Sequence, residues 1–227
     1  MANLPTYEYE ANLQLNGSSI IAGVDEVGRG PIAGPVYAAA VILSPSHIPL
    51  GLNDSKKLSA KQRKLICKDI RKHADVSIAS ASEREIEKLN ILHASHLAMM
   101  RAIGGLKSTP DHILIDGNLI PRDLNIPATA IVKGDASCAS IAAASIIAKI
   151  ERDQFMYDLG QQFPGYGWEK NVGYPTLQHL KALQDIGITP YHRQTFKPVH
   201  NILYQDCLLY TSPSPRDATL SRMPSSA

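Results

Sequence analysis

Residues 19–43 read SIIAGVDEVGRGPIAGPVYAAAVIL, and the architecture of the domain can be inferred from here outward. Two apolar runs that are permissive for β-structure, residues 19–26 and 35–43, flank a short segment rich in glycine and proline. Apolar runs separated in this way are typical of strands joined by a turn. We therefore predict two neighbouring strands at the start of the domain.

The rest of the chain alternates predicted strands and helices. Ser59 and Ser82 each begin a capping box, the pattern that opens a helix. Further strands are predicted at residues 75–80, 112–116 and 128–133, and helices at residues 59–73, 82–103, 137–159 and 176–185. Strands that come first and then alternate with helices predict an α/β fold in which helices pack against a mixed sheet.

Length and composition limit the class of protein. The 227 residues, 44% apolar and 19% charged, suit one globular domain and exclude disordered, fibrous and disulfide-stapled chains. No apolar stretch reaches the roughly 18 residues of a membrane span, and no secretory signal is visible. Three cysteines without close pairing or metal-type spacing fit a reducing compartment, so we expect a cytoplasmic protein. The formal charge of +2 neither requires nor excludes a polyanionic partner.

The end of the chain differs from what precedes it. Residues 207–227 are rich in Thr, Ser, Pro and Arg, and the apolar periodicity stops there. A linker or a disordered tail is one interpretation. However, one choice of codons for residues 207–217 resembles a transposase-based sequencing adapter, and residues 221–226 resemble a second adapter. We therefore predict an N-terminal extension at 1–18, a main domain at 19–206 and a non-native tail at 207–227.

Four acidic residues lie next to the predicted strand ends. Asp25 and Glu26 close one apolar run, Asp116 closes another, and Asp135 follows the next run. Ligands gather beyond the carboxyl ends of strands in sheets with helical crossovers. These four acids could therefore share one site.

Each acid also has a structural alternative. Asp135 could cap the helix that starts near Ser137, and Asp116 could be an ordinary turn residue. Adjacent strand residues point to opposite faces, so Asp25 and Glu26 serve one site only if the chain bends or bulges. Crowded carboxylates repel unless a cation intervenes, which favours two Mg²⁺ or Mn²⁺ ions and two-metal cleavage of a phosphodiester.

Several motifs together resemble those of bacterial ribonuclease HII. The resemblance covers about residues 19–200 in order, and its motifs are GVDEVGRGP at 23–31, LNDSKKL at 52–58, IDG at 115–117, KGD at 133–135, SIAAASIIAK at 140–149, GY at 173–174 and HR at 192–193. It implies a ribonuclease H-like fold with a mixed five-stranded sheet flanked by helices. It further implies cleavage of the RNA strand of RNA–DNA hybrids and incision at single ribonucleotides in duplex DNA, leaving 5′-phosphate and 3′-hydroxyl ends.

The resemblance also implies roles for individual residues. The acids Asp25, Glu26, Asp116 and Asp135 become the catalytic set that binds two Mn²⁺ or Mg²⁺ ions. The turn Gly28, Arg29 and Gly30, with Tyr174, would recognise the RNA-to-DNA junction, although a turn and a half-buried aromatic would be the ordinary interpretation. The candidates for phosphate contacts are Ser55, Lys56, Lys57 and Arg193.

Ordinary structural or solvent-exposed roles remain open for several of these residues. The lysines could simply be solvated, and Arg193 could serve packing. The histidines that lack paired ligand spacing are His93, His96, His179 and His192, and these are expected on surfaces or in polar contacts. Asp153 is expected to form a salt bridge rather than bind metal.

Three other functions are considered. Ribonuclease HIII shares the fold and the acids, but it typically has an extra N-terminal domain and lacks the arginine that corresponds to Arg29. A hybrid-binding module without catalysis would need to have lost an acid. A different metal-dependent phosphoesterase would have no need of a 2′-hydroxyl. We expect a monomer that acts on hybrids and on ribonucleotide-containing duplex DNA, with no membrane contact; the sequence does not identify a recruiting protein.

Overall fold

The computed structural model describes residues 4–204, and these contain a mixed five-stranded sheet. The strands are β1 (Ile21–Val27), β2 (Val36–Ile42), β3 (Asp75–Ala81), β4 (His112–Asp116) and β5 (Ala128–Ile131). Their spatial order is β3-β2-β1-β4-β5. Strand β2 is antiparallel to β1 and β3, whereas β4 is parallel to β1 and β5. The predicted α/β class and mixed sheet are confirmed.

Seven helices accompany the sheet in this part of the chain. They are α1 (Glu8–Leu15), α2 (Ala60–His73), α3 (Glu83–Gly104), α4 (Ala139–Gln162), α5 (Trp168–Asn171), α6 (Leu177–Ile186) and α7 (Lys197–Leu203). Both predicted capping boxes are formed, at Ser59 and Ser82. Helices α1, α5 and α7 were not predicted. No helix among residues 4–204 is long and apolar enough to cross a bilayer.

Helix α3 is interrupted where the sequence predicted a continuous helix. Asn90 has a φ of 66° and a ψ of 167°, a strained backbone conformation that is found almost only at glycine. Its Oδ1 accepts hydrogen bonds from the backbone N–H groups of Leu92 and His93, at 3.0 and 3.2 Å. Asn90 therefore acts as a cap for the second half of α3.

The core consists of two layers, one on each face of the sheet. Alternate residues of β2 point to opposite faces: Ala38 and Ala40 pack towards α3, and Ala39 and Val41 pack towards α2 and α4. Gly23 of β1 lies so close to α4 that a Cβ atom there would collide with the backbone of Ser140. This close approach fixes α4 against the central strand. A third cluster, beyond the sheet, packs α6 and α7 against the end of α4.

The N-terminal residues contact the main domain directly. Glu10 of α1 is buried, and its Oε1 accepts a hydrogen bond of 2.8 Å from the backbone N–H of Ser140. This contact satisfies a free N–H group in the first turn of α4, whose own N-cap, Cys138, makes no side-chain cap. The domain boundaries at residues 18 and 206 remain predictions, and the predicted non-native tail at 207–227 lies outside the described residues.

Candidate active site

A cavity of about 330 Å³ opens at the carboxyl ends of β1 and β4. All four predicted acids line it, as do the turn that follows β1 and one face of α4. The lining residues include Asp25, Glu26, Gly28, Arg29, Gly30, Ser55, Lys56, Asp116, Asp135, Ser145, Lys149 and Tyr174. The structure thus brings together residues from six separate parts of the sequence.

Asp25 and Glu26 reach this cavity without a break in the strand. Their register against β2 is regular through Val27, so the two acids reach one cavity without a bulge in this pairing. Pairing of β1 with β4 ends at Val24, which leaves the last residues of β1 open on that side. The Oδ1 atom of Asp25 accepts a hydrogen bond of 2.7 Å from the backbone N–H of Glu26. Arg29 Nη1 donates to Glu26 Oε1 at 3.1 Å.

The other two acids are positioned by the loop after β5. Asp116 Oδ1 accepts hydrogen bonds from the backbone N–H groups of Gly134, at 2.7 Å, and Asp135, at 3.4 Å. Asp135 lies in a short 3₁₀ turn, Gly134–Ala136, three residues before the N-cap of α4. Because the N-cap is Cys138, the alternative interpretation of Asp135 as the helix cap is wrong.

Crowding and burial make the carboxylates harder to ionise. Burial raises the pKa of Asp25 well above its ordinary value, and the charges of Glu26 and Asp116 act in the same direction. Burial likewise raises the pKa of Glu26, although Arg29 opposes this shift. The pKa of Asp135 is raised by burial and by the charge of Asp116. A cation in the cavity would relieve this repulsion.

The donor set fits hard divalent cations. It consists of carboxylate oxygens, which Mg²⁺ and Mn²⁺ prefer. Glu26 Oε2 is buried and has no hydrogen-bond partner, so it is a free ligand atom. No three of these acids place one carboxylate oxygen each within 4.8 Å of the other two, a spacing that among the described residues is found at His47, Asp69 and His73. Joint coordination therefore requires rotation of the carboxylate side chains.

The turn after β1 is fixed by a buried arginine. Gly28 has a φ of 94°, which favours glycine. The Arg193 guanidinium donates to the backbone carbonyl oxygens of Gly28, Arg29, Pro31 and Gly34, at 2.6 to 3.0 Å. Arg193 is fully buried, so the phosphate contact proposed for it does not fit, and its packing alternative does. Its pKa is lowered to about 9 by burial and by Arg152, and it remains charged at neutral pH.

Arg152 of α4 has a similar role that the sequence analysis missed. It donates to the backbone carbonyl oxygens of Ala33, Pro35 and Val172, at 3.0 to 3.2 Å. These bonds join the segment after the turn to the segment before Tyr174. The positions of the turn and of Tyr174 are therefore coupled through buried arginines.

Tyr174 stands at the rim of the cavity. Its side chain is 46% exposed, and its ring lies against Gly30, where an added Cβ would be 3.4 Å from Tyr174 Cε1. Trp168 Nε1 donates a hydrogen bond to His179 Nε2 at 3.0 Å, so the proton of the neutral His179 ring is on Nδ1. His179 Nδ1 therefore donates to the Tyr174 carbonyl oxygen at 2.9 Å. The Tyr174 backbone is thus held by His179, while much of its aromatic ring is accessible to solvent.

His179 and His192 form a buried polar network, in agreement with the predicted polar contacts. His192 Nε2 donates to His179 Nε2 at 3.0 Å, and His192 Nδ1 accepts from the Thr189 N–H at 2.9 Å. Both rings are therefore neutral in this arrangement. Burial lowers the pKa of His192 to about 3, with a further contribution from His179.

The predicted phosphate ligands divide into two groups. Ser55 and Lys56 line the cavity, whereas Lys57 is exposed outside it. Two further lining residues, Ser145 and Lys149, were missed; their spacing of four places them on one face of α4. Ser145 donates to Ser55 at 2.9 Å. Asp153 pairs with Lys149 at 2.7 Å, so the predicted salt bridge is confirmed, with Lys149 as its partner.

The fold and sequence match known nucleases. The family model described as Ribonuclease HII matches residues 22–199. A Ribonuclease HII from Ruegeria pomeroyi is 60% identical over 202 residues, which are 89% of this chain and 86% of that protein. The crystal structure of ribonuclease H2 from Pyrococcus horikoshii OT3 has a TM-score of 0.72 at 25% identity, over 82% of this chain and 98% of the other. The PCNA:RNase HII complex from Archaeoglobus fulgidus has a TM-score of 0.68 at 27% identity, over 78% of this chain and 95% of the other.

A ribonuclease H-like sheet with acids at its strand ends defines the class of ribonucleases H, hydrolases that act on RNA–DNA hybrids. Within this class, the chain belongs to the ribonuclease HII family. The family resemblance seen in the motifs is therefore confirmed.

Proposed function

We propose that this chain cleaves the RNA strand of RNA–DNA hybrids and also incises duplex DNA at single embedded ribonucleotides. The cut would leave 5′-phosphate and 3′-hydroxyl ends, and the second activity would begin the repair of ribonucleotides in DNA. The observation that carries the proposal is that one cavity holds four carboxylates together with Gly28, Arg29 and Tyr174. All these residues come from one chain, so a monomer suffices.

Asp25, Glu26, Asp116 and Asp135 are proposed to hold two Mg²⁺ or Mn²⁺ ions. Such ions activate a water for in-line attack on phosphorus and stabilise the leaving oxygen. The protein contributes by presenting oxygen ligands with fixed partners, such as the Gly134 amide that holds Asp116. The raised pKa values of Asp25, Glu26 and Asp135 support this assignment, because a cation would favour their ionised forms.

The turn and Tyr174 are proposed to select the substrate. The 2′-hydroxyl distinguishes RNA from DNA, and a turn whose glycines lack side chains lets backbone groups approach it. The exposed Tyr174 ring, held next to Gly30, would stack on the deoxyribose that follows the ribonucleotide. Lys56 at the cavity and Lys57 outside it would contact phosphates without selecting a base.

The test uses three labelled duplexes: one with a single ribonucleotide, an RNA–DNA hybrid, and DNA alone. The full chain and a version ending at Asp206 are incubated with each in Mg²⁺, Mn²⁺ or EDTA. We expect both versions to cut the first two duplexes with metal, to leave the all-DNA duplex intact, and to be inactive in EDTA. Cleavage of the hybrid without cleavage at the single ribonucleotide would contradict the repair assignment. Binding of the hybrid without any cleavage would support the alternative, a hybrid-binding module.

A further inference from the structure

Three potential metal ligands meet on the surface at the opposite edge of the sheet from the acid cavity. Asp69 Oδ1 lies 3.0 Å from His47 Nε2 and 2.9 Å from His73 Nδ1. One ligand atom from each of the three residues lies within 4.8 Å of the other two. The side chains are 33 to 41% exposed, so an ion from solvent can reach them.

Two separate segments hold this cluster in place. Asp69 and His73 are four residues apart on α2, a spacing that puts both side chains on one face of the helix. His47 lies in the turn after β2, where its backbone N–H donates to the Ser44 carbonyl oxygen at 2.9 Å. The His47 and His73 rings pack with their centroids 3.9 Å apart. Their nitrogens therefore converge on one carboxylate rather than pointing into solvent.

The donor set differs in kind from that of the acid cavity. Two imidazole nitrogens and one carboxylate suit Zn²⁺ and its neighbours in the first transition row, whereas Mg²⁺ prefers oxygen ligands. Around a tetrahedral Zn²⁺, ligand atoms about 2.0–2.1 Å from the ion lie about 3.3 Å from one another. The distances from Asp69 to the two imidazoles are already close to this value.

We propose that His47, Asp69 and His73 form a second metal site, specific for Zn²⁺-type ions, whose fourth position is open to water. A bound ion would join the turn after β2 to the last two turns of α2. Strand β2 runs antiparallel to β1, so this turn lies at the edge of the sheet that does not carry the acids. The proposed site is therefore a structural metal site, and the proposal does not depend on the nuclease assignment.

Zn²⁺ titration of the full chain, purified without a polyhistidine tag, tests the proposal. Calorimetry is performed with excess Mg²⁺, which occupies oxygen-only sites. We expect one equivalent of Zn²⁺ to bind and the thermal unfolding midpoint to rise with Zn²⁺ concentration. In each of His47→Ala, Asp69→Asn and His73→Ala, the affinity should fall by about ten-fold or more, because even an outer-shell change costs that much.

His200→Ala is the matched control, because His200 is an exposed helical histidine outside the cluster. It should bind Zn²⁺ as the parent chain does. Circular dichroism of each variant establishes that it is folded before titration. Absence of Zn²⁺ binding in the folded parent chain would overturn the proposal. Zn²⁺ binding that is unchanged in all three cluster variants would also overturn it.

Discussion

Asp25 and Arg193 are both buried ionisable residues, but their surroundings give them different roles. Burial raises the pKa of Asp25, the neighbouring carboxylates raise it further, and a bound cation would relieve this repulsion. Arg193 faces backbone carbonyl oxygens, which accept hydrogen bonds from four of the five N–H groups of its guanidinium. A charged residue type in a motif therefore does not reveal whether it contacts substrate; its partners in the fold do.

Replacing Asp116 tests the catalytic set. In Asp116→Asn the amide oxygen can still accept from the Gly134 N–H, so folding should be retained. Hybrid cleavage should fall by at least about 10²-fold, as for other groups that stabilise developing charge, while hybrid binding stays largely intact. Gel assays of cleavage and binding provide the measurements. Asp123→Asn, an exposed acid away from the cavity, is the control. Loss of folding in Asp116→Asn would indicate a structural role instead.

Replacing Tyr174 tests recognition of the junction. Tyr174→Ala should reduce cleavage at a single ribonucleotide by about ten-fold relative to cleavage of a hybrid, the scale of one lost aromatic contact with a nucleotide. The dependence of the rate on Mg²⁺ concentration should not change. Tyr157→Ala is a suitable control, because Tyr157 is 50% exposed, similar to Tyr174, but does not line the cavity. An equal loss of cleavage rate on both substrates would show that the Tyr174 ring does not recognise the RNA-to-DNA junction.

At the scale of elements, the turn after β1 depends on residues far along the chain. Arg193→Gln removes hydrogen bonds to four carbonyl oxygens. We expect the free energy of unfolding to fall by about 3 kcal/mol, since hydrogen bonds to a charged group are lost in a buried site. Urea unfolding measures this change, and Arg84→Gln, an exposed arginine, is the control.

The same variant separates a positioning role from a purely structural one. At temperatures where Arg193→Gln remains folded, its preference for ribonucleotide-containing duplex over all-DNA duplex should decrease. If the folded variant kept the preference of the parent chain, the arginine would stabilise the domain without positioning the turn.

Elements with a local signal were predictable from sequence, and those fixed by distant contacts were not. Helices α2 and α3 begin at capping boxes that can be seen in the sequence. Helix α1 became evident only in the fold, where Glu10 bonds to the amide of Ser140. The four acids could be grouped because strand ends share an edge of the sheet. Ser145, Lys149 and Arg152 lie in an Ala-rich helix, and the sequence does not show which face meets the cavity.

At the scale of the whole molecule, the buried histidines link stability to pH. His192 has a pKa of about 3 in the folded protein and an ordinary value of 6.5. Folding favours the neutral form of His192. Its contribution to the free energy of unfolding is therefore complete above pH 6.5 and is lost as the pH falls towards 3. Between pH 7 and pH 5 the loss is about 2 kcal/mol. Asp25, Glu26 and Asp135 have raised pKa values, so their contribution to the free energy of unfolding increases as the pH falls.

A variant isolates the histidine contribution from that of the acids. Urea unfolding of the parent chain and of His192→Asn is compared at pH 7 and pH 5. The parent should lose about 2 kcal/mol more than the variant over this interval. His200→Ala, an exposed histidine, should behave like the parent. Equal losses in the parent chain and His192→Asn would show that the ring is not buried in its neutral form.

The central strand pairs with β2, which follows it directly, and with β4, which is made some ninety residues later. During synthesis, the ribosome therefore completes the β1–β2–β3 portion long before Asp116 and Asp135 exist. A nascent or prematurely terminated chain that ends before residue 116 carries half of the acidic set. Under the proposed assignment, such a fragment cannot complete the set of metal ligands, so we expect cleavage activity to arise only after most of the polypeptide has been translated.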